Sequence, residues 1–541
     1  MTRGPSSAIV RTGTKEEQVR DLIIVGGGTA GSVLAGRLTE SGRIRVTLVE
    51  AGGSPETMLV RMPAGMPKLF KGPLDWAFES EPHPGLGGRR VFIPRGKMLG
   101  GSSNMNAQVH QWCHPADFDG WAAHGARGWA WRDVAPVFRR MEAVRGLAPS
   151  NGIRGRTGMM HVEPLRTPNP LTLAFVAAAR AAGLDGPDDY NGGEYAGAWV
   201  AQVAQRRGRR FSAYDAYLKP ALRRRNLEVL PDAHVTRVLV ENGRAVGVVV
   251  RRGGADETLR AERGVVLAAG AYGTPQILQL SGLGPAKELQ KLGIEVQRDV
   301  PQVGANLQEH PLLPVMMRAR RPISLKKAES PLNLLAWLVA GRGMLASNVA
   351  EGLAFASSDG DAAPDVELCF VPVEWRGEGL EPPQVHGFGC GVVVVAPRSR
   401  GSVRLRSADP LQPPAIDLGL LSDFEGADLR ALSRGVELFR RIAATAPLAD
   451  EADGEITPGA EIRGDEAIRA HCATALQTIY HPTSTCRMGT DDAAPVTPEL
   501  AFRGVDGLWV ADASVMPTVP RGHPNAVIAM IADRAADLIA A

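Results

Sequence analysis

The chain has 541 residues, 44% of them apolar and 22% charged, with a formal net charge of +3. These are ordinary globular values and exclude disordered, collagen-like and coiled-coil architectures. The near balance of charge leaves no basic stripe for nucleic acid and no acidic tail. At about 150 residues per domain, the length allows three or four units, or fewer large ones. The five cysteines are an odd number with no CxxC pair. That argues against a disulfide framework or a zinc module and for a reducing compartment. No apolar run reaches the roughly 18–20 residues of a membrane span. Residues 1–19 carry no apolar core of a signal peptide and read as a short N-terminal extension. The expectation is a cytoplasmic protein with no metal, no nucleic-acid partner and no transmembrane segment.

The first strong element is the apolar strand of residues 22–25. It runs at once into Gly26-Gly-Gly-Thr-Ala-Gly31, and residues 32–40 then read as a helix with Val33, Leu34, Ala35 and Leu38 on its buried face. Residues 45–50 form a second strand, which completes a β-α-β unit of about 30 residues. From 51 to 128 the chain is rich in Gly and Pro and reads as long ordered loops, which at that length are usually functional. Helices are expected over 130–145 and 170–182. Residues 235–240 and 245–250 read as two strands, with Asn242-Gly243 as the hairpin turn. Residues 264–269 form another buried strand, and Thr274-Pro275 reads as the N-cap and first turn of a helix. Strands follow near 366–370 and 391–395. The apolar stretch 332–345, interrupted by Gly341 and Arg342, reads as a buried helix, with a lid or partner-facing surface as the alternative. A closing helix spans 524–541.

Gly26, Gly28 and Gly31 stand where a dinucleotide-binding turn needs them: after a strand, before a helix, with a second strand ending in an acid. Gly26 permits the tight turn, Gly28 lets backbone approach a pyrophosphate, and Gly31 lets helix and strand pack closely. Thr29 and Ala30, in the same turn, are expected to contact the cofactor, and the N-terminus of the helix that follows offers N–H groups and a positive dipole end to phosphate. Glu50 lies 22 residues after Gly28, where a carboxylate accepts from ribose hydroxyls. This unit alone does not separate FAD from NAD.

Three further segments do. They are Arg95-Gly-Lys-Met-Leu-Gly-Gly-Ser-Ser-Asn-Met-Asn106, Gly270-Ala-Tyr-Gly-Thr-Pro-Gln-Ile-Leu-Gln-Leu-Ser-Gly-Leu-Gly284, and His481-Pro-Thr-Ser-Thr-Cys-Arg-Met-Gly489 followed by Val510-Ala-Asp-Ala-Ser514. With Gly26–Gly31 in front, the chain resembles the glucose–methanol–choline oxidoreductases from about Asp21 to its end. The resemblance implies FAD and an α/β fold of two discontinuous domains. A Rossmann-like FAD-binding domain would take 20–165, 225–320 and 475–541. A substrate domain with a mainly antiparallel sheet would take 166–224 and 321–474.

The resemblance also implies site residues. Leu99, Gly100, Ser103, Asn106, Ala107, Val109, Val235, Asp512, Ala513 and Asn525 would join the glycine loop in holding the cofactor. Asn525 stands at the start of the closing helix, whose dipole would stabilise negative charge at the flavin's N1 and C2 carbonyl. Some relatives attach FAD covalently through a histidine in the Gly-Gly-Ser loop; the matching position here is Met105, so non-covalent FAD is expected, although His110 is close by in sequence.

The implied chemistry is oxidation of a primary alcohol to an aldehyde, with oxygen or another acceptor taking the electrons. The hydroxyl needs a base with a pKa near neutrality, which suits histidine. His481 and His523 occupy the family positions. His523 is assigned as base and His481 as the partner of the substrate oxygen, and the two can titrate as a coupled unit. Gln108, His110, Trp112 and Cys113 depart from the commoner residues of the family. His110 and Trp112 are expected at the substrate pocket. Glu351 is placed there too, either pairing with a cationic substrate or serving as a structural acid. The alternative function is an FAD-containing lyase of the same fold, of the hydroxynitrile lyase or photodecarboxylase type.

Overall fold

The computed structural model describes residues 20–147, 152–193, 195–360 and 363–541. The expected N-terminal extension, 1–19, lies outside the described residues.

Five strands form one parallel sheet in the order Leu227–Leu230, Val46–Val49, Leu22–Val25, Gly264–Leu267 and Leu508–Val510. The central three are short, apolar and fully buried, as strands covered on both faces must be. The first helix, Thr29–Leu38, begins three residues before the expected start and packs against the closing helix Asn525–Ala540. Gly31 lets the first helix lie close on the turn that precedes it: a Cβ there would fall 1.8 Å from the Gly26 carbonyl oxygen. Gly26 itself sits at φ +97°, a conformation that only glycine adopts without strain. The hairpin His234–Glu241 to Arg244–Arg252 turns through Asn242 and Gly243, both at positive φ, as the type I′ signal requires.

A second, antiparallel sheet runs in the order Ala452–Thr457, Pro311–Ala319, Gly387–Val394, Val366–Val371, Gly352–Ala356, Gly197–Val200, with Gln477–Thr478 paired to the start of Pro311–Ala319. Helices Pro170–Ala181 and Ala427–Ala443 cover one face. There Phe175 stacks on Phe370 with ring centroids 4.5 Å apart. The other face turns to the glycine-rich loops of the parallel sheet. The mixed α/β fold with a parallel sheet and a large antiparallel sheet is therefore present.

Several local expectations change. Residues 51–128 are not loops throughout: Pro115–Ala123 is an α-helix, closed by a capping box between His114 and Asp117. The helix expected to open at Thr274-Pro275 starts at Gly270. Thr274 is no cap; its Oγ1 donates to Asp512 Oδ2 at 2.6 Å. Pro275 inside the helix cannot donate to the Ala271 carbonyl, and Thr485 Oγ1 does so instead at 2.7 Å. The helix Trp131–Met141 ends before residue 145, because Glu142 is drawn into a buried ion-pair network and continues as strand Glu142–Val144.

The expected buried helix of 332–345 is an exposed one. Pro331–Ala340 buries only Trp337 among its ten residues, and Leu332 and Val339 are each 79% exposed. Trp337 is its buried anchor, donating from Nε1 to the Gly208 carbonyl at 2.9 Å under the Arg209 guanidinium. Among the described residues no helix is long and apolar enough to cross a membrane.

Truncating the Phe175–Phe370 stack tests this packing. Phe175→Ala is expected to destabilise the protein by about 3–5 kcal/mol and lower its thermal midpoint. Leu332→Ala, on the exposed helix, is expected to move stability by less than about 0.5 kcal/mol.

Candidate active site

One cavity of about 350 Å³ lies between the loops of the parallel sheet and the inner face of the antiparallel sheet. At one end it is lined by Gly26, Gly28, Thr29, Ala30, Glu50 and Val235; at the other by His481, His523 and sheet residues such as Leu312, Cys369 and Val371.

The nucleotide end is shaped by absent side chains. A Cβ on Gly28 would meet nothing nearer than the Gly101 Cα at 4.0 Å, so the space beside it is open. Two helix N-termini reach this cavity, at Thr29 and Asn525, and are tied together by Thr29 Oγ1 donating to Asn525 Oδ1 at 3.0 Å. Glu50 accepts from the Gly27 and Gly52 backbone amides at 2.7 and 2.8 Å. That uses two of roughly four lone-pair positions on the carboxylate and leaves the rest for a diol. Burial pushes its pKa up to about 7. An open glycine cradle, two positive helix ends and a buried acid together fit a dinucleotide.

Asn106, Ala107, Val109, Asp512 and Ala513 also line the cavity. Gly31, Leu99, Gly100 and Ser103 do not; they stand behind its wall. Gly100 N donates to the Gly27 carbonyl at 2.7 Å and Ser103 Oγ to the Gly100 carbonyl at 2.6 Å, which clamps the second glycine turn onto the first. The Asp512 carboxylate is fully committed to protein donors: Gly270 N and Thr274 Oγ1 on one oxygen, Ser514 N and Oγ on the other. It fixes the loop after the last parallel strand to the helix after the fourth.

Sequence reasoning missed Arg210, which is buried and donates to the carbonyls of Val60, Ser103 and Asn106 and to Asn106 Oδ1. Burial pulls its pKa down to about 9. In the sequence it ends the run Arg206-Arg-Gly-Arg-Arg210, which reads as a solvated surface.

At the sheet end the His481 and His523 rings meet edge-on, centroids 4.9 Å apart and planes at 78°. Each has its own partner. His523 Nε2 lies 2.7 Å from Glu367 Oε1, and its backbone amide donates to Gln111 Oε1 at 2.9 Å. His481 Nδ1 lies 3.0 Å from His310 Nδ1, so one imidazole donates to the other. The His481 backbone amide donates to Glu309 Oε1 at 2.5 Å. Burial drives the His481 pKa well below the usual imidazole value, and the charges of neighbouring histidines act in the same direction. Burial takes His310 down to about 3 and raises Glu309 to about 7. His481 and His310 are therefore neutral at ordinary pH. None of Glu309, His310 and Glu367 was singled out from the sequence. The available signal was an acid inside an otherwise apolar buried strand, Val366-Glu-Leu-Cys-Phe370.

The three residues expected at a substrate pocket do not line the cavity. His110 is buried with Nε2 at 3.2 Å from Glu142 Oε2, inside a cluster completed by Arg154, Asp189 and Gln202. Trp112 donates from Nε1 to the same Glu142 oxygen and stacks on Phe138. Glu351 is fully buried and accepts from Asn169 N and Thr172 Oγ1 at 2.7 Å each, so it serves the first turn of helix Pro170–Ala181. Of the unusual stretch, Gln108 reaches the cavity, at φ +59°.

Comparison with known proteins agrees with this geometry. Residues 20–312 and 397–532 match the two family models described as GMC oxidoreductase. The chain is 43% identical over 523 residues to an uncharacterised GMC-type oxidoreductase of Mycobacterium tuberculosis, covering 96% of this chain and 99% of that one. It is 40% identical over 527 residues to an oxygen-dependent choline dehydrogenase of Sinorhizobium medicae, covering 96% and 95%. Its fold is similar to the crystal structure of pyridoxine 4-oxidase from Mesorbium loti, with a TM-score of 0.87 and 30% identity over 96% of this chain and 98% of that one. A formate oxidase variant from Aspergillus oryzae superposes with a TM-score of 0.89 at 26% identity, over 97% and 98%. With a glycine cradle that fits a dinucleotide, a histidine pair in edge contact and two matched family segments, the chain belongs to the glucose–methanol–choline oxidoreductases, FAD-dependent enzymes that act on CH–OH donors.

Proposed function

We propose that the protein oxidises a primary alcohol to the aldehyde, with His523 as the base, and passes the electrons to oxygen or another acceptor. The observation that carries this reading is the 2.7 Å contact of His523 with Glu367 beside a neutral His481. Glu367 accepts the Nε2 proton, which leaves the lone pair of His523 on Nδ1. The same carboxylate then stabilises the imidazolium that forms when the hydroxyl proton is taken. His481 has Nδ1 committed to His310, so Nε2 is the atom left for the substrate oxygen. Two imidazoles on one oxygen fix the direction of the carbinol C–H, and such positioning is a large share of catalysis.

FAD would be held by Gly26, Gly28, Thr29 and Glu50 at the nucleotide end and by Asn106, Ala107 and the Asn525 helix start further along. When bound, FAD supplies the hydride acceptor at N5. Non-covalent attachment fits the side chains: Met105 lines the cavity at the linkage position and has no nucleophilic nitrogen, and His110 is held away by Glu142.

Mixing with alcohols under anaerobic conditions, read as bleaching of the oxidised-flavin absorbance, tests the base. His523→Ala and His481→Ala are each expected to keep FAD and slow bleaching by about two or more orders of magnitude. Glu367→Gln is expected to slow it by at least about tenfold, because the tautomer of His523 is no longer fixed by a charge. A histidine variant that bleaches at the parent rate would remove that residue from the mechanism. Gly28→Val fills the open cradle and is expected to purify with little flavin, measured as the ratio of flavin to protein absorbance.

A further inference from the structure

Glu367 and Cys369 stand two residues apart on the strand Val366–Val371, so their side chains leave the same face. His523 meets that face from the loop before the closing helix. One donor atom from each of the three residues lies within 4.8 Å of the other two, and all three residues are buried. Two groups here have no part in the mechanism above. One is Glu367 Oε2, a buried carboxylate oxygen with no hydrogen-bond partner among the described residues. The other is the Cys369 thiol, which lines the cavity.

We propose that Glu367, Cys369 and His523 form a site for a thiophilic divalent cation, Zn²⁺ in the first instance, whose binding shuts off the enzyme. One sulfur, one imidazole nitrogen and one carboxylate oxygen are a zinc-type donor set, unsuited to Mg²⁺ or Ca²⁺. Bonds of about 2.0–2.3 Å place tetrahedral ligands roughly 3.3–3.8 Å apart, within reach of these side chains by small rotations. The fourth position would open to the cavity. Charge also balances: thiolate and carboxylate together neutralise the cation, so the occupied buried site carries no net charge. Burial and the Glu367 charge hold the thiol pKa well above its usual value, and a bound cation offsets both effects.

On binding, the Cys369 thiol proton leaves to solvent and a metal–sulfur bond forms. Whichever ring nitrogen of His523 ligates, the ring proton then sits on the other. No lone pair remains for the substrate hydroxyl. Metal binding stands on the geometry alone, whereas inhibition rests on His523 being the base as proposed above.

The test uses the FAD-loaded protein, first treated with a chelator. Zinc is titrated in competition with a chromophoric chelator, and anaerobic bleaching by alcohol is followed at each zinc level. The parent is expected to bind one zinc per chain and to bleach at least about tenfold more slowly when it is bound, with recovery on adding chelator. Cys369→Ser and Glu367→Gln are expected to bind zinc more than about tenfold more weakly. Cys369→Ser, compared with its own zinc-free rate, is expected to lose the inhibition. Folding of both variants is checked by flavin content and circular dichroism. No stoichiometric zinc in the parent, or undiminished zinc affinity in Cys369→Ser, overturns the site. Cysteine-dependent zinc that leaves bleaching unchanged overturns the inhibition. If no alcohol bleaches the parent, the functional reading fails, and the zinc titration still decides the metal site by itself.

Discussion

Two imidazoles in edge contact, His523 buried and His481 half-buried, are the feature on which the rest of the active site depends. An imidazole taken out of water loses its preference for the charged form, and a second one beside it lowers that preference further. Left alone, such a pair would be neutral, mobile and without a fixed tautomer. The structure assigns each ring a different partner. His481 leans on His310, itself neutral because it is buried. His523 leans on Glu367, which stands in the wall of the antiparallel sheet. The pair is thereby made unequal, one ring backed by a carboxylate and one by a neutral base.

This arrangement explains why the two sheets must be held in a fixed relation. His523 comes from the loop before the closing helix, which belongs with the parallel sheet, and Glu367 comes from the antiparallel sheet. A distance of 2.7 Å between them requires the interface to be rigid. Much of the rigidity is polar and buried. Arg210 gathers three carbonyls from two separate segments, Val60 on one and Ser103 and Asn106 on the second glycine turn. Asp512 joins the loop after a parallel strand to the helix Gly270–Leu280 through Oδ2, while Oδ1 holds its own turn at Ser514. The cluster of Glu142, Arg154, Asp189, Gln202 and His110 does similar work on the flank of the cavity. Buried charges of this kind are costly unless every partner is in place. They tie the chain to one arrangement through the loops 51–128, where the sequence offers little hydrophobic periodicity.

The comparison with other members of the family separates framework from chemistry. The fold matches solved structures whose names concern pyridoxine and formate, and the sequence matches choline dehydrogenases over nearly its whole length. One scaffold thus carries enzymes named for different small molecules, and function must be argued from the side chains of the site. In this chain those side chains include a buried acid and a thiol on one strand face.

The β-α-β unit, the hairpin at Asn242-Gly243 and the buried parallel strands were legible in the sequence, because each is set by residues within about thirty positions. Ordered motifs also carried the family, the cofactor and the histidine pair. Local patterns could not say which polar residues would meet. His110 and Trp112 stand near Asn106 and Ala107 in sequence, which line the cavity, yet Glu142 and Arg154 draw them to the far side of the wall. Glu351 became a support for a helix turn. The helix Pro331–Ala340 is as apolar as a core helix, but it has one tryptophan's worth of anchorage and remains outside. Glu367, Cys369 and His523 are brought together across 156 residues by the docking of one sheet on another. Local sequence determined the elements and the nucleotide turn, since backbone sterics and hydrophobic period act over short range. Tertiary packing alone decided the environment of each titratable group, since burial and charge pairing depend on segments that no spacing rule connects.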